Sequence, residues 1–133
     1  MNKLLVLLVL FFSNLLQGAN FMMNCVSLDF KDTAFYKYQI NSDTDEKKLL
    51  NRPMKTKWRN FCESNYDFKV SCTFIDKYVE RISINNNANN KSQSIYQLDF
   101  EKYQLVKKIL EFKNNRPDKI IKTVNYKCRK IKI

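Results

Sequence analysis

Residues Tyr66 to Phe74 alternate without a break. Tyr66, Phe68, Val70, Cys72 and Phe74 are apolar, and Asp67, Lys69, Ser71 and Thr73 stand between them. Strand side chains point to opposite faces with a period of two, so this run separates an apolar from a wetted face only as a strand. It directs Cys72 toward the core.

The same period recurs along the chain. In CVSLDF, Val26, Leu28 and Phe30 alternate with Ser27 and Asp29. In FYKYQI, Tyr36, Tyr38 and Ile40 alternate with Lys37 and Gln39, and NSDTD at 41–45 ends the run with turn-forming residues. Asp76-Lys77 is a tight connection into YVERISI, where Ile82 and Ile84 are expected to face inward. NNNANNKS at 85–92 reads as a hairpin loop or a longer exposed one. IYQLDF sets Tyr96, Leu98 and Phe100 on one face, NNRPD at 114–118 is a turn, and Val124, Tyr126 and Cys128 share a side of the terminal run. Pro53 argues against a helix or central strand over 46–61, which reads as an irregular excursion with one short helical turn before Asn51. Residues 101–113 fit helix and strand nearly equally, and the strand neighbours favour strand. The expected fold is mainly β: six or seven strands in a small antiparallel sheet curled into a barrel or sandwich. A helix near 101–113 would make it α+β.

The first nineteen residues have a different design. Lys3 precedes an unbroken apolar run from Leu4 to Phe12, and the small pair Gly18-Ala19 supplies a cleavage site. That is the layout of a secretory signal peptide, too short and too interrupted for the roughly 20 apolar residues of a membrane span. Residues 20–133 then form a single β-rich domain, expected to be secreted or periplasmic. Four cysteines, Cys25, Cys62, Cys72 and Cys128, lie in this part. An even count in a small exported chain reads as two disulfides. Of the three possible pairings, Cys62 with Cys72 and Cys25 with Cys128 is favoured, because the second bridge would tie the chain ends together. With no His and no C-x-x-C spacing, a metal site is disfavoured and no cofactor is expected.

The formal charge is +11 and it is unevenly spread. Residues 101–133 hold eleven basic and three acidic side chains, whereas 21–100 are nearly balanced. A basic region can meet an anionic polymer, an anionic membrane surface or an acidic protein. The competing explanation is compositional: abundant Lys, Asn and Ile with a single Gly is what an AT-rich genome yields without any ligand.

The absence of His removes the usual Ser-His-Asp and Cys-His pairs, and the absence of Gly after Gly18 removes phosphate-cradling loops. Asp43, Asp45 and Glu46 cluster without the glycine and terminal Glu of a calcium loop. Glu80, Asp99 and Glu101 are the carboxylates that acid–base chemistry on an envelope polymer would use, though each also reads as a solvated strand charge. Among candidate binding residues, Lys55, Lys57 and Arg59 bracket Trp58, the only tryptophan. Cations interleaved with an aromatic ring suit stacking on a base, a sugar or a peptide ring. The alternative is that Trp58 plugs the core beside Cys62. Lys127 and Arg129 flank Cys128 and are expected to point outward from a fixed strand. Asn90-Lys91-Ser92 matches a glycosylation acceptor. The leading expectation is a non-enzymatic exported binding module with a basic face. An envelope-polymer enzyme or enzyme inhibitor and a structural envelope component without a charge-driven ligand are the alternatives.

Overall fold

The computed structural model describes residues 20–53, 56–85 and 91–132. Residues 1–19, expected to be a signal peptide, Lys55, and residues 86–90 with the expected acceptor Asn90 lie outside the described residues. Nine strands follow in chain order: β1 (Asn20–Ser27), β2 (Thr33–Ile40), β3 (Lys47–Pro53), β4 (Arg59–Asn60), β5 (Phe68–Ile75), β6 (Tyr78–Asn85), β7 (Ser92–Asp99), β8 (Gln104–Lys113) and β9 (Arg116–Lys130). The described residues contain no helix, so 101–113 carries a strand.

All nine belong to one antiparallel sheet in the order β4-β3-β2-β1-β9-β8-β7-β6-β5. Sequence neighbours pair locally, and β1 and β9 join the two chain ends. The unpaired junction is between β4 and β5, the two edges. Parity explains why antiparallel pairing does not close the ring there. With an odd number of strands, each antiparallel to its neighbour, the two edges run the same way.

The sheet nevertheless curls onto itself. Tyr38 of β2 meets Phe74 of β5 and Phe100 beyond β7 edge-on, with ring centroids 5.6 and 5.7 Å apart. These strands are far apart in sheet order, so a flat sheet would not bring the rings together. Met23, Leu49, Val79, Leu98 and Leu105 complete this core, each almost fully buried. Each removes a large apolar side chain from water, worth about 1.5–3 kcal/mol per residue before the entropy of ordering is counted.

Two disulfides fasten the curl. Cys25 and Cys128 stand opposite each other in the β1–β9 ladder, with Cα atoms 4.1 Å apart. Cys62, just past β4, bonds Cys72 of β5. The second bridge therefore spans the junction that backbone pairing leaves open. Ser64 reinforces it: its hydroxyl accepts from the Val70 N–H at 2.8 Å and donates to the Val70 carbonyl at 3.1 Å. The result is a curled, covalently stapled open sheet.

Hairpins in a glycine-free domain must take left-handed backbone from other residues. Among the described residues, Phe30, Asp45, Asp76, Tyr103, Asn114 and Asn115 have φ between 51° and 61°. Asn and Asp tolerate this region well, and the consecutive pair Asn114-Asn115 matches the two-residue turn whose twist suits a hairpin. Phe30 and Tyr103 adopt it at a cost of about 1–2 kcal/mol each.

Several expectations are corrected: nine strands replace the expected six or seven, Tyr66 precedes β5 and is 96% exposed, and Arg116, Pro117 and Asp118 of the expected 114–118 turn open β9. Residues 46–61 carry β3 and the short β4 rather than a loop with a helical turn. Pro53 is accommodated as the last residue of β3, beside an edge strand two residues long, where a missing N–H interrupts no central ladder. In β1, Met23, Cys25 and Ser27 are buried, so Val26 faces out, and Leu28 and Phe30 are exposed in the turn. In β6, Val79 and Ser83 are buried, Arg81 shares their face, and Ile82 and Ile84 lie on the other.

Candidate binding site

The inner face changes character along its length. The end holding Tyr38, Phe74 and Phe100 is apolar, while the opposite end collects Ser27, Asn51, Arg81, Tyr96 and Tyr126. Register explains the clustering: Arg81 pairs with Tyr96 and Tyr96 with Lys107, so these side chains form one row across β6, β7 and β8. Lys107 Nζ stands 5.1 Å from the Tyr96 ring centroid. Tyr126 donates its phenolic hydrogen to Asp32. Burial pushes the Tyr36 and Tyr126 hydroxyls well above the usual phenol range, and the bond to Asp32 adds to the effect at Tyr126.

The outer face carries the cations. Asn24 of β1 pairs with Arg129 of β9 on one side and Phe35 of β2 on the other, and Phe35 pairs with Arg52 of β3. One row therefore reads Arg129, Asn24, Phe35, Arg52. Arg52 lies over the Phe35 ring at 6.0 Å, and Lys37, further along β2, lies over Trp58 at 4.6 Å. Trp58 is half-buried against this cation and is absent from the buried core cluster. Lys57 is exposed. Lys127, opposite Val26, joins Arg129 on the same face. Lys37 and Arg52 escaped sequence reasoning, since only the register shows that β2 and β3 continue the face of β9 and β1.

A cavity of about 410 Å³ opens on this face, lined by Asn24, Val26, Leu28, Phe30, Lys127 and Arg129. Its apolar wall is the β1–β2 turn, where Leu28 is 63% and Phe30 84% exposed. The Ser27 hydroxyl and the Lys31 N–H donate to Asp29 Oδ1 at 2.5 and 3.1 Å. These bonds hold the Asp29 carboxyl below the usual range, with help from the charges of Lys31 and Lys122. Lys122 belongs to β9, where it pairs with Ile109 of β8. Its neighbours Ile120 and Ile121 are 51% and 55% exposed.

Arg59 belongs elsewhere. It pairs with the buried Asn51, so it follows the inner face to the β4–β5 junction and lines a second cavity with Arg81. The carboxylates singled out in the sequence, Glu80, Asp99 and Glu101, line neither cavity. Glu80 stands opposite Gln97 on the outer face, and Asp99 Oδ1 accepts from the Glu101 and Lys102 N–H groups at the β7–β8 turn. Among the described residues, no group of three or more His, Cys, Asp or Glu side chains is placed to hold a metal ion.

Two disulfides fit an oxidising compartment outside the cytosol. Comparison with family models, curated proteins and solved structures found no match to this chain.

Proposed function

We propose that this is an exported, non-enzymatic binding module that docks on an anionic membrane surface through the outer face of β9 and β1 and the adjoining turn. The observation that carries the reading is the juxtaposition of Leu28 and Phe30, both exposed, with Lys127 and Arg129 around one cavity. Apolar side chains at a protruding turn suit insertion below the headgroups. Cations behind them suit anionic lipid, each worth about 1 kcal/mol near such a surface. Ile120, 51% exposed and paired past a bulge with Leu110 on the outer side of β8, adds apolar surface farther along β9. A purely solvated basic surface would not call for exposed apolar groups beside the charge.

Co-sedimentation of the mature protein with phosphatidylglycerol vesicles tests the reading. Binding is expected at low salt, with loss on phosphatidylcholine vesicles, in 500 mM salt, and in the Lys127→Glu/Arg129→Glu variant. Leu28→Ser/Phe30→Ser should also release the vesicles while sparing retention on a soluble polyanion such as heparin. Equal loss of both would favour an anionic polymer, and no binding at low salt would end the basic-face reading.

A further inference from the structure

We propose that the cavity at the β4–β5 junction binds a small hydroxylated carboxylate, with Arg59 and Arg81 gripping the carboxylate and Asn51 accepting from a hydroxyl. The cavity measures about 410 Å³, within the range of small-ligand sites. Asn51, Arg59, Phe61, Glu63, Phe68 and Arg81 all line it.

Three features single it out. The first is an unanswered acceptor. Asn51 is only 5% exposed, and its Oδ1 has no hydrogen-bond partner among the described residues. A buried polar atom left unpaired is costly, and a ligand hydroxyl would satisfy it. The second is a pair of like charges. Burial lowers the proton affinity of Arg81, Tyr96 and Tyr36 offset part of this, and the charge of Arg59 adds a smaller lowering. An anion between them would relieve both effects. The third is preorganisation. Arg81 Nε donates to the Phe61 carbonyl at 2.6 Å while its guanidinium stands over the Phe61 ring, Cζ 3.7 Å from its centroid. A guanidinium has five N–H donors, and Phe61 takes one from a plane that is already fixed.

Charge decides the class of ligand. Arg59 and Arg81 contribute two positive charges and Glu63 one negative, so a single negative charge neutralises the cavity. A phosphate dianion would overshoot and face the Glu63 carboxylate. Asn51 and Glu63 both offer acceptors, which calls for hydroxyl donors on the ligand. Phe61 and Phe68 supply an apolar wall for a carbon ring. These requirements together describe an acidic sugar or a compact hydroxy acid.

The site uses none of the outer-face residues Lys127 and Arg129, so it stands or falls independently of membrane docking. The test is titration of the ¹⁵N-labelled, oxidised mature protein with glucuronate, acetate and inorganic phosphate, following the Asn51 side-chain amide and the Arg81 Nε–H. Glucuronate should give saturable shifts at both, and acetate should bind about tenfold more weakly for want of the hydroxyl. Arg59→Ala should weaken glucuronate by about tenfold or more. Asn51→Leu removes the orphan acceptor, so it should fold with an unchanged or higher melting temperature while losing the preference over acetate. Lys127→Glu/Arg129→Glu should leave glucuronate binding intact. Absence of saturable shifts, tighter binding of phosphate, equal binding of acetate, or shifts that persist undiminished in Arg59→Ala would each overturn the proposal.

Discussion

The guanidinium of Arg81 in β6 stands over the Phe61 ring, Cζ 3.7 Å from its centroid, and donates its Nε–H to the carbonyl of the same residue at 2.6 Å. Phe61 follows β4, so one side chain ties the segment beyond one edge of the sheet to the strand beside the other. Phe61 in turn packs on Tyr96 and Tyr36, at 5.0 and 5.7 Å between centroids. Arg81→Met keeps much of the packing and leaves the carbonyl unanswered. We expect it to cost about 1.5–3 kcal/mol in urea denaturation, as for other hydrogen bonds from charged donors. A loss below half a kcal/mol would show that the contact does not hold the junction.

The two disulfides should be separable. By chain entropy, the bridge spanning 103 residues constrains the unfolded chain by about 4–5 kcal/mol, and that spanning 10 residues by about 3 kcal/mol, as upper figures. Cys25→Ala/Cys128→Ala should therefore lower global stability more. Cys62→Ala/Cys72→Ala should act locally, with hydrogen exchange accelerating first in β4 and β5. Uniform acceleration over all nine strands would contradict that division.

Alkali should unfold the domain through its tyrosines. Tyr36 and Tyr126 hold their protons far more tightly when folded, whereas the unfolded chain releases them near pH 10. Their contribution is thus fully present below pH 10 and is lost as the pH rises above it. Each raised group adds up to about 1.4 kcal/mol of destabilisation per pH unit. Tyr36→Phe should lower stability at neutral pH modestly and flatten the decline between pH 10 and 11.5. An unchanged slope would place the alkaline transition elsewhere.

Phe30 combines a left-handed backbone with 84% exposure, so it accepts strain without much burial in return. Phe30→Gly should raise stability by about 0.5–1 kcal/mol, read as a rise in melting temperature, while weakening vesicle binding if the turn inserts. A fall in melting temperature would mean that the ring packs usefully where it stands.

Alternation alone placed the inward sides of β2, β7 and β9, because Tyr36 and Tyr38, Leu98 and Phe100, and Tyr126 and Cys128 all face the core. It failed in β6 for a reason of register. The short Asp76-Lys77 turn sets Val79 opposite Phe74, so Phe74 draws Val79 inward and Arg81 and Ser83 follow. In β1, the phase is set by Cys25, which must face Cys128. The more hydrophobic set, Val26 and Leu28, is thereby turned outward. No pattern of two could reveal the cavity at the junction, because the paired Asn51 and Arg59 meet Arg81, from near the far edge of the sheet, only through the curl.

The order of the strands also sets how the chain can find its fold. Hairpin contacts build β1–β4 and β5–β9 as two meanders, each from residues close in sequence. The β1–β9 ladder instead joins residues about a hundred positions apart, such as Cys25 and Cys128. Loop-closure entropy makes such distant pairing slow, so the two meanders are expected to zip first and dock last along β1 and β9. Oxidation of Cys25 and Cys128 would then serve as a latch on a finished search. A kinetic intermediate should show protected hairpins and two free thiols at those positions.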